Sequence, residues 1–242
     1  MFWKISDQTW NKLKEKHSEY NSEKPIEKIL NTANIVSFKN TAEKINNLIC
    51  EMLPTEENKF LISESMDYIN NEKWDSKSQK SFKSHTNLPH SVRLQQGARV
   101  MYLNNSLINL GICNGTIGVI LDLNLEEMSV RVAFCAHSKI IDIEIKKQVN
   151  YFFVNGNYAS RTQFPLQNCF AMTVHKTQGL TLNNTSINLD DQIFAPGQAY
   201  VVLSHCPSWD NIQIPTLSKS AFIIDQEIVK EYQRLENLSL IM

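Results

Sequence analysis

Hydrophobic and polar positions divide the chain into three textures. The first is αβ-like. Asn34, Ile35, Val36, Ser37 and Phe38 form a short, mostly apolar run that predicts a strand. Thr41 is placed to cap a helix carrying Ile45, Ile49 and Met52, which Pro54 ends. The preceding residues, 1–25, are polar and rich in Lys and Glu. They carry isolated aromatics at Phe2, Trp3, Trp10 and Tyr20, and helical spacing between Ile5 and Leu13. Residues 55–93 show little hydrophobic pattern. Within them, 71–86 is a run of Lys, Ser, Asn and Asp broken by Trp74 and Phe82, longer than a usual connection, and it reads as a surface excursion.

Beyond Leu94 the texture becomes β. Short apolar pieces at 100–103, 117–121, 130–134, 140–143 and 151–154 are separated by turn pairs such as Asn104-Asn105, Asn114-Gly115 and Asn155-Gly156. Closely spaced short strands predict a small antiparallel barrel rather than βαβ units. From Phe170 the parallel texture returns. Strands are expected near Ile187 to Leu189, Tyr200 to Leu203 and Ala221 to Ile224, with a charged helix from Gln226 to Leu235. The expected organisation is a lead-in (1–33), the first part of an αβ domain with its polar excursion (34–96), an inserted β-barrel (97–155) and the second part of the αβ domain (156–242). Neither αβ portion alone has enough strands to cover a core, which favours insertion over two sequential domains. The alternative is a free-standing carboxyl-terminal fold, with the first strand and helix as decoration.

Composition adds limits. With 242 residues, 42% hydrophobic and 20% charged, the chain is long enough for a substantial core and falls in the globular class. Its formal net charge of -1 gives no support for nucleic-acid binding, though a few well-placed cations suffice for phosphate contacts. Cys50, Cys113, Cys135, Cys169 and Cys206 are scattered singly, which fits small core hydrophobes in a reducing interior better than zinc or redox chemistry. His85, His90 and His137 lack ligand spacing, so no metal site is expected. The amino terminus does not read as a signal peptide, and no 18-residue apolar run predicts a membrane span. An intracellular location is expected, with nucleus and mitochondrion both open.

Two blocks carry the chemistry. Residues 170–182 read F-A-M-T-V-H-K-T-Q-G-L-T-L, and residues 198–205 read Q-A-Y-V-V-L-S-H. In the first, Thr173, His175, Lys176, Thr177, Gln178 and Thr181 crowd around Gly179. A core strand would not hold that many polar groups, so the segment should line a strand end, a turn and a helix start. Helix-start N–H groups attract anions, and Thr hydroxyls and a Lys ammonium can hold phosphate oxygens. An ordinary capping turn is the plainer reading.

These blocks resemble motor motifs of superfamily 1 DNA helicases, in the petite-integration-frequency/RecD-like branch. Other segments resemble the same branch in the same order: Ile35-Val36 with Asn40, Ala42 and Ile45-Asn46; Gly97 to Met101 with Asn104-Asn105; G-I-C-N-G-T-I-G at 111–118; and Arg161 to Leu166. The resemblance covers about 34–214. It implies a RecA-like second motor domain, a P-loop NTPase-like fold without the P-loop, carrying an inserted small antiparallel β-barrel. It further implies that Thr173, His175, Lys176, Thr181 and Asn114 contact single-stranded DNA, that Gln178 and Gly179 are cofactor-binding, and that the 170–182 block relays the ATP state. His205 stands where the branch places an arginine that reaches the γ-phosphate of ATP. A shorter imidazole with two ring nitrogens is a poor substitute for a five-donor guanidinium, so catalysis there is expected to be impaired. A capping or surface histidine is the plainer reading. In the barrel, Arg99, Arg131 and Arg161 are phosphate candidates or solvated arginines. Tyr102, Phe134, Tyr151 and Phe152 are stacking candidates or core residues.

No G-x-x-x-x-G-K-[ST] loop occurs, and no Asp-Glu pair follows an apolar strand. ATP and Mg²⁺ therefore belong to the complete family enzyme, and this chain alone is expected to bind neither tightly nor to hydrolyse ATP. The resulting expectation is the carboxyl-terminal part of a 5′-to-3′ ATP-dependent DNA helicase. Its partners would be a first motor domain and, weakly, single-stranded DNA. Its setting would be genome maintenance (repair, recombination, telomere upkeep) or transposon replication. The alternatives are a catalytically dead single-strand-binding module and a structural remnant.

Overall fold

The computed structural model describes residues 5–21, 25–53, 60–74, 82 and 84–239. The chain forms two compact units, residues 1–45 with 171–242, and residues 46–170. In chain order the elements are α1 (Asp7–Ser18), α2 (Ile26–Asn31), β1 (Ala33–Val36), α3 (Lys39–Met52), β2 (Phe60–Glu64), β3 (Met66–Ile69), β4 (Glu72–Lys73), β5 (Ser91–Gln95) and β6 (Arg99–Tyr102). There follow β7 (Ile117–Asn124), β8 (Ser129–Ala136), β9 (Lys139–Lys146), β10 (Gln148–Val154), β11 (Asn157–Gln163), β12 (Leu166–Asn168), β13 (Ala171–Thr173), α4 (Val174–Thr177), β14 (Thr185–Leu189), α5 (Gln198–Ser204), β15 (Ile212–Leu217) and α6 (Gln226–Ser239).

The first unit is built on a parallel sheet of order β13-β1-β14-β15. Asn34 stands opposite Ala171 on one side of β1 and opposite Ser186 on the other. A strand paired on both edges must be apolar, and Ala33, Ile35 and Val36 are all buried. Val36, Ala42 and Ala171 form a small core cluster with Ile45 packed on it. Outside the sheet, α1 is tied to β15: His17 Nδ1 donates to the Ile214 carbonyl at 2.9 Å, and Leu13 is fully buried. Ser6 caps α1, accepting from the Thr9 amide.

The second unit is antiparallel. Its sheets run β12-β6-β7-β8-β9, β10-β11-β3-β4 and β2-β5. Gly118 in β7 is needed sterically, since a Cβ there would lie 2.7 Å from the Ala133 carbonyl and 2.7 Å from the Phe134 ring. Asn155 and Gly156, with φ of 49° and 81°, make the tight turn that joins β10 to β11. At the centre of this unit Arg161, on β11, is fully buried. Its Nε and Nη2 donate to the two carboxylate oxygens of Asp67 on β3, at 2.8 and 2.6 Å. Nη1 donates to the Leu88 carbonyl at 3.1 Å, and the guanidinium lies over the Phe82 ring. One turn of the pleat away, Gln163 bonds Ser63 through both its oxygen and its nitrogen. Burial pushes the Cys50 thiol up to about 11, so it behaves as an inert core group.

Several expectations change. The β unit spans 46–170, so the predicted limits at 97 and 155 fall inside it. The cause is long-range pairing: β11 zips to β10 across residue 155, and also to β3, while β12 pairs with β6. Strands β2 and β3 arise in the stretch read as patternless, because the inward residues Ser63 and Asp67 are polar and bonded rather than apolar; β5, which buries Val92 and Leu94, begins at the end of that stretch. Much of the predicted excursion, and Phe2 and Trp3, lie outside the described residues. Residues 200–203 form a helix, not a strand, and 219–221 is a 3₁₀ turn rather than the start of a strand. Among the described residues, no helix is long and apolar enough to cross a membrane.

Removing one member of a buried ion pair leaves an uncompensated charge. Asp67→Ala should therefore cost about 3–5 kcal/mol of stability, read from the shift in urea midpoint. The double variant D67A/R161M should recover a large part of that loss. A single variant as stable as the parent would show that the pair does not organise this unit.

Candidate functional site

In a parallel sheet, ligands gather outside the carboxyl ends of the strands. In the first unit, three strands deliver side chains to that edge. From β13 comes the polar block 173–181, from β1 comes Phe38, and from β14 come Asp190, Asp191 and Phe194.

The polar block is assembled from small local devices. Thr173, the residue before α4, is buried, as is Thr177, whose hydroxyl donates to the Val174 carbonyl at 2.7 Å. Helix α4 has only 4 residues. One turn cannot build a useful dipole, so the expected helix-start anion attraction does not apply to this element. The chain then reverses. Gln178 has φ -56° and ψ 125°, Gly179 has φ 81°, and the Leu180 amide donates to the Thr177 carbonyl at 2.9 Å. These are the values of a type II turn, in which the third position needs positive φ. Gly179 is required for that conformation, not for space, because nothing lies within 4 Å of where its Cβ would be. The backbone there is open. His175, Gln178 and Thr181 are exposed and Lys176 is half-buried. The block thus divides into buried threonines that hold the turn and an outer set that a ligand can reach.

His205 holds the far end of the same turn. It follows α5, and its ring is buried, with Nδ1 3.2 Å from the Leu180 carbonyl. A carbonyl only accepts, so Nδ1 carries the proton in this bond. The His205 carbonyl in turn accepts from the Leu182 amide at 2.9 Å. Its Nε2 is buried without a hydrogen-bond partner. At the start of the same helix, the Gln198 carboxamide oxygen accepts from the amides of Phe194 and Ala195, both at 3.1 Å. Helix α5 therefore fixes two features of the edge at once, the 178–182 turn and the loop bearing Phe194.

Phe194 is half-exposed and stacks on half-exposed Phe38, with centroids 5.7 Å apart and planes 21° apart. An exposed stacked pair at the carboxyl edge of the parallel sheet was not signalled by either residue in sequence, because each is an isolated aromatic in a different segment. Asp190 accepts from Gln192 and Thr216, and Asp191 from Ser220, as turn-holding carboxylates.

In the second unit, Asn114 is exposed and its amide donates to the Asn105 side chain at 2.9 Å. The Asn114-Gly115 pair does not make the two-residue hairpin its sequence suggests. Only Gly115 has positive φ, and the turn closes through Thr116 onto the Cys113 carbonyl at the end of the 103–116 loop. The arginine candidates are all engaged. Arg161 is buried on Asp67, Arg131 pairs with Asp142 at 3.1 Å, and Arg99 lies over the Phe170 ring. Burial, partly offset by neighbouring Cys169, holds the Arg99 guanidinium below its ordinary range. Tyr102 and Phe134 are core residues, and Phe152 packs edge-on to buried Phe82. Tyr151 alone of the four aromatic candidates is exposed.

Comparison with known proteins agrees with this architecture. The family description "DNA helicase Pif1, 2B domain" matches residues 80–123. The chain is 32% identical over 154 residues to the ATP-dependent DNA helicase PIF1 of Danio rerio, covering 62% of this chain and 23% of the relative. It is likewise 32% identical over 146 residues to the human ATP-dependent DNA helicase PIF1, covering 60% and 22%. The crystal structure of Pif1 helicase from Candida albicans superposes with a TM-score of 0.79 at 18% identity, over 96% of this chain and 55% of that one. The Bacteroides Pif1 structure, solved in complex with ADP-AlF3 and ssDNA, gives a TM-score of 0.68 at 23% identity, over 96% and 51%. The chain looks like the carboxyl-terminal region of a Pif1-type helicase. It spans about a quarter of the length of those curated relatives. The Pif1-type fold is that of a RecA-like motor domain with a 2B domain, which corresponds to the parallel and antiparallel units here.

The residues present do not fit a complete nucleotide site. The 173–181 block supplies a turn and a few polar side chains, and the sequence carries no G-x-x-x-x-G-K-[ST] loop. Among the described residues, no cluster of His, Cys, Asp or Glu could hold a metal ion.

If His205 is the pin of this turn, His205→Ala should remove the donor to Leu180 and cost about 1–3 kcal/mol. The amides of Leu180 and Leu182 should then exchange with deuterium faster than those of β1. Unchanged exchange at both amides would show that the turn does not depend on the imidazole.

Proposed function

We propose that this chain acts as the carboxyl-terminal motor half of a Pif1-type, 5′-to-3′ ATP-dependent DNA helicase. In that role it grips one DNA strand at the carboxyl edge of its parallel sheet. The observation that carries the reading is the juxtaposition at that edge: the outer residues His175, Lys176, Gln178 and Thr181 on a Gly179 turn, beside strand exits that present the Phe38–Phe194 stack. Hydroxyl, amide and ammonium groups suit phosphate oxygens, and exposed rings suit unpaired bases. ATP and Mg²⁺ are supplied through a first motor domain, which brings the phosphate-binding loop that this chain lacks. Genome maintenance or transposon replication is the setting the family resemblance suggests.

A second reading is a nucleic-acid-binding module without catalysis. It is favoured by His205, which stands at the position of the family's arginine and is buried against Leu180. In the first reading His205 positions the turn, and the γ-phosphate contact is weakened or lost. The two readings share the DNA grip and differ in turnover.

The grip is tested by fluorescence anisotropy with unrelated single-stranded oligonucleotides at two salt concentrations. The expected result is weak, sequence-independent binding that falls with salt. Lys176→Ala should weaken all sequences about equally and reduce the salt slope by about 0.7 to 1. Equal affinity and equal slope in folded K176A protein would remove this block from the interface. The purified chain should show no ATPase activity above background. Turnover that persists through stringent purification would overturn the division of labour proposed here.

A further inference from the structure

Strand β10 lies at the edge of its sheet without the protections that edges usually carry. The order β10-β11-β3-β4 leaves one side of β10 unpaired, and among the described residues no backbone group bonds to that side. In an antiparallel ladder every second residue turns its N–H and C=O away from the partner strand. Proteins blunt such edges with shortness, charge, proline or a bulge. Strand β10 runs for 7 residues, Q-V-N-Y-F-F-V, with no charge and no proline, and its pairing with β11 continues from 148 to 154 without a break in register. At the opposite edge of the same sheet, β4 has 2 residues, both charged. The long edge strand of the neighbouring sheet, β9, carries Lys139, Asp142, Glu144 and Lys146.

The sheet face beside this edge is apolar as well. Val149, Tyr151 and Phe153 point outward from β10 at 48%, 77% and 55% exposure, and Met66 and Tyr158 extend the patch onto the neighbouring strands. Residues opposite one another in an antiparallel pair share a face. The register therefore sets Val149, Thr162 and Met66 in one row, Tyr151, Ser160 and Tyr68 in the next, and Phe153 with Tyr158 in a third. A contiguous exposed apolar patch marks an interaction site. Charge around it is one-sided. Strands β10 and β11 hold no Asp or Glu, and Asp67 on β3 is turned inward onto Arg161. Lys73 continues the Tyr68 row. Lys147, immediately before β10, directs its ammonium to the Glu64 carbonyl and the Phe164 ring.

We propose that the β10 edge docks an extended segment of a partner protein, which adds to the sheet as a further strand and lays alternate apolar side chains against Val149, Tyr151 and Phe153. The inference goes beyond the helicase reading, because its ligand is a polypeptide. Three requirements define the partner. Unpaired N–H and C=O groups that recur about every 6.8 Å along an edge match another polypeptide backbone, whereas a DNA backbone offers acceptors alone. β-Branched or aromatic residues at every second position pair best across strands with Tyr151 and Phe153. Asp or Glu at the end of the segment that meets Lys147 supplies the charge these strands lack. The same charge argument sets aside a second copy of this chain, since β10 against β10 brings no carboxylate to either Lys147. On the inner face Asn150 and Phe152 are already engaged by Thr86 and Phe82, so selectivity rests on the outward row.

The test pans a randomised peptide library, displayed on phage, against the full chain, and the best binder is then made as a fluorescein-labelled peptide. Enriched sequences should alternate apolar and polar positions and carry Asp or Glu at one end. Enrichment of no sequence over a bare-bead control overturns the proposal. Tyr151→Lys sets on β10 the charge that protected edges carry, and should weaken binding about tenfold or more, while Tyr151→Phe should bind like wild type. Circular dichroism should report unchanged folding in both, because Tyr151 lies outside the core, and a folded Y151K that binds as tightly as wild type sinks the site. Methylating the backbone nitrogens of alternate peptide residues reads strand addition directly. One alternate set should abolish binding and the other should leave it intact; equal effects of the two sets rule out strand pairing. Lys147→Glu should shift preference toward a lysine-ended version of the peptide, and an unchanged preference defeats the stated partner. Displacement of the peptide by oligothymidine, with both methylated sets binding alike, would assign the face to nucleic acid and end the proposal.

Discussion

Strand β1 is hydrogen-bonded on both sides, to β13 and to β14, and both partners come from sequence beyond residue 170. That pairing is the constraint from which the rest follows. Residues 33–36 cannot be buried until more than a hundred later residues have been placed, so the intervening chain must close a core of its own. The antiparallel unit meets this requirement with local hairpins, β7 to β8 to β9 and β10 to β11, which have short loops and low closure cost. Strand β1, which precedes the antiparallel unit, is then brought between β13 and β14, which follow it, and the carboxyl ends of these parallel strands share an edge.

At that edge, helix α5 links structure to function. Its first residue, Gln198, ties down the loop bearing Phe194, and the residue after it, His205, ties down the turn at Leu180. A helix of 7 residues has little independent stability, so what it fixes is fixed by tertiary packing of Ala199 and Val202. In that packing His205 serves the turn itself. The imidazole satisfies a backbone carbonyl from inside, where a guanidinium would have to keep its donors outside or find buried acceptors.

How much of this was legible depended on which residues point inward. Where the buried face is apolar, as in β7, β8 and β14, alternation or a short apolar run revealed the strand. Where it is polar, the pattern failed. Strand β3 buries Asp67, β11 buries Arg161 and Gln163, and β2 buries Ser63, so each segment reads as surface although its inward side is closed. A salt bridge between residues 94 positions apart leaves no local trace. Helix α5 was misread for the opposite reason: Tyr200, Val201, Val202 and Leu203 look like a β run, yet only Val202 of these is fully buried, one helical turn from Ala199. The polar block at 173–181 was legible as a site because too many polar residues crowd one glycine. The division within it, Thr173 and Thr177 inward and His175, Gln178 and Thr181 outward, was not, since it depends on the sheet pairing of β13.

The net charge of -1 gives no support to a nucleic-acid surface and does not exclude one. Net charge says little about any one surface, because several charges are paired locally: Asp67 with Arg161, Asp142 with Arg131 and Glu127 with Lys146. Paired charges of this kind cancel within a few ångströms and contribute little at a Debye length of about 10 Å. What a phosphate strand would feel is the local field of unbalanced groups. A net charge near zero therefore neither selects nor excludes a phosphate-binding edge; the placement of individual cations decides it.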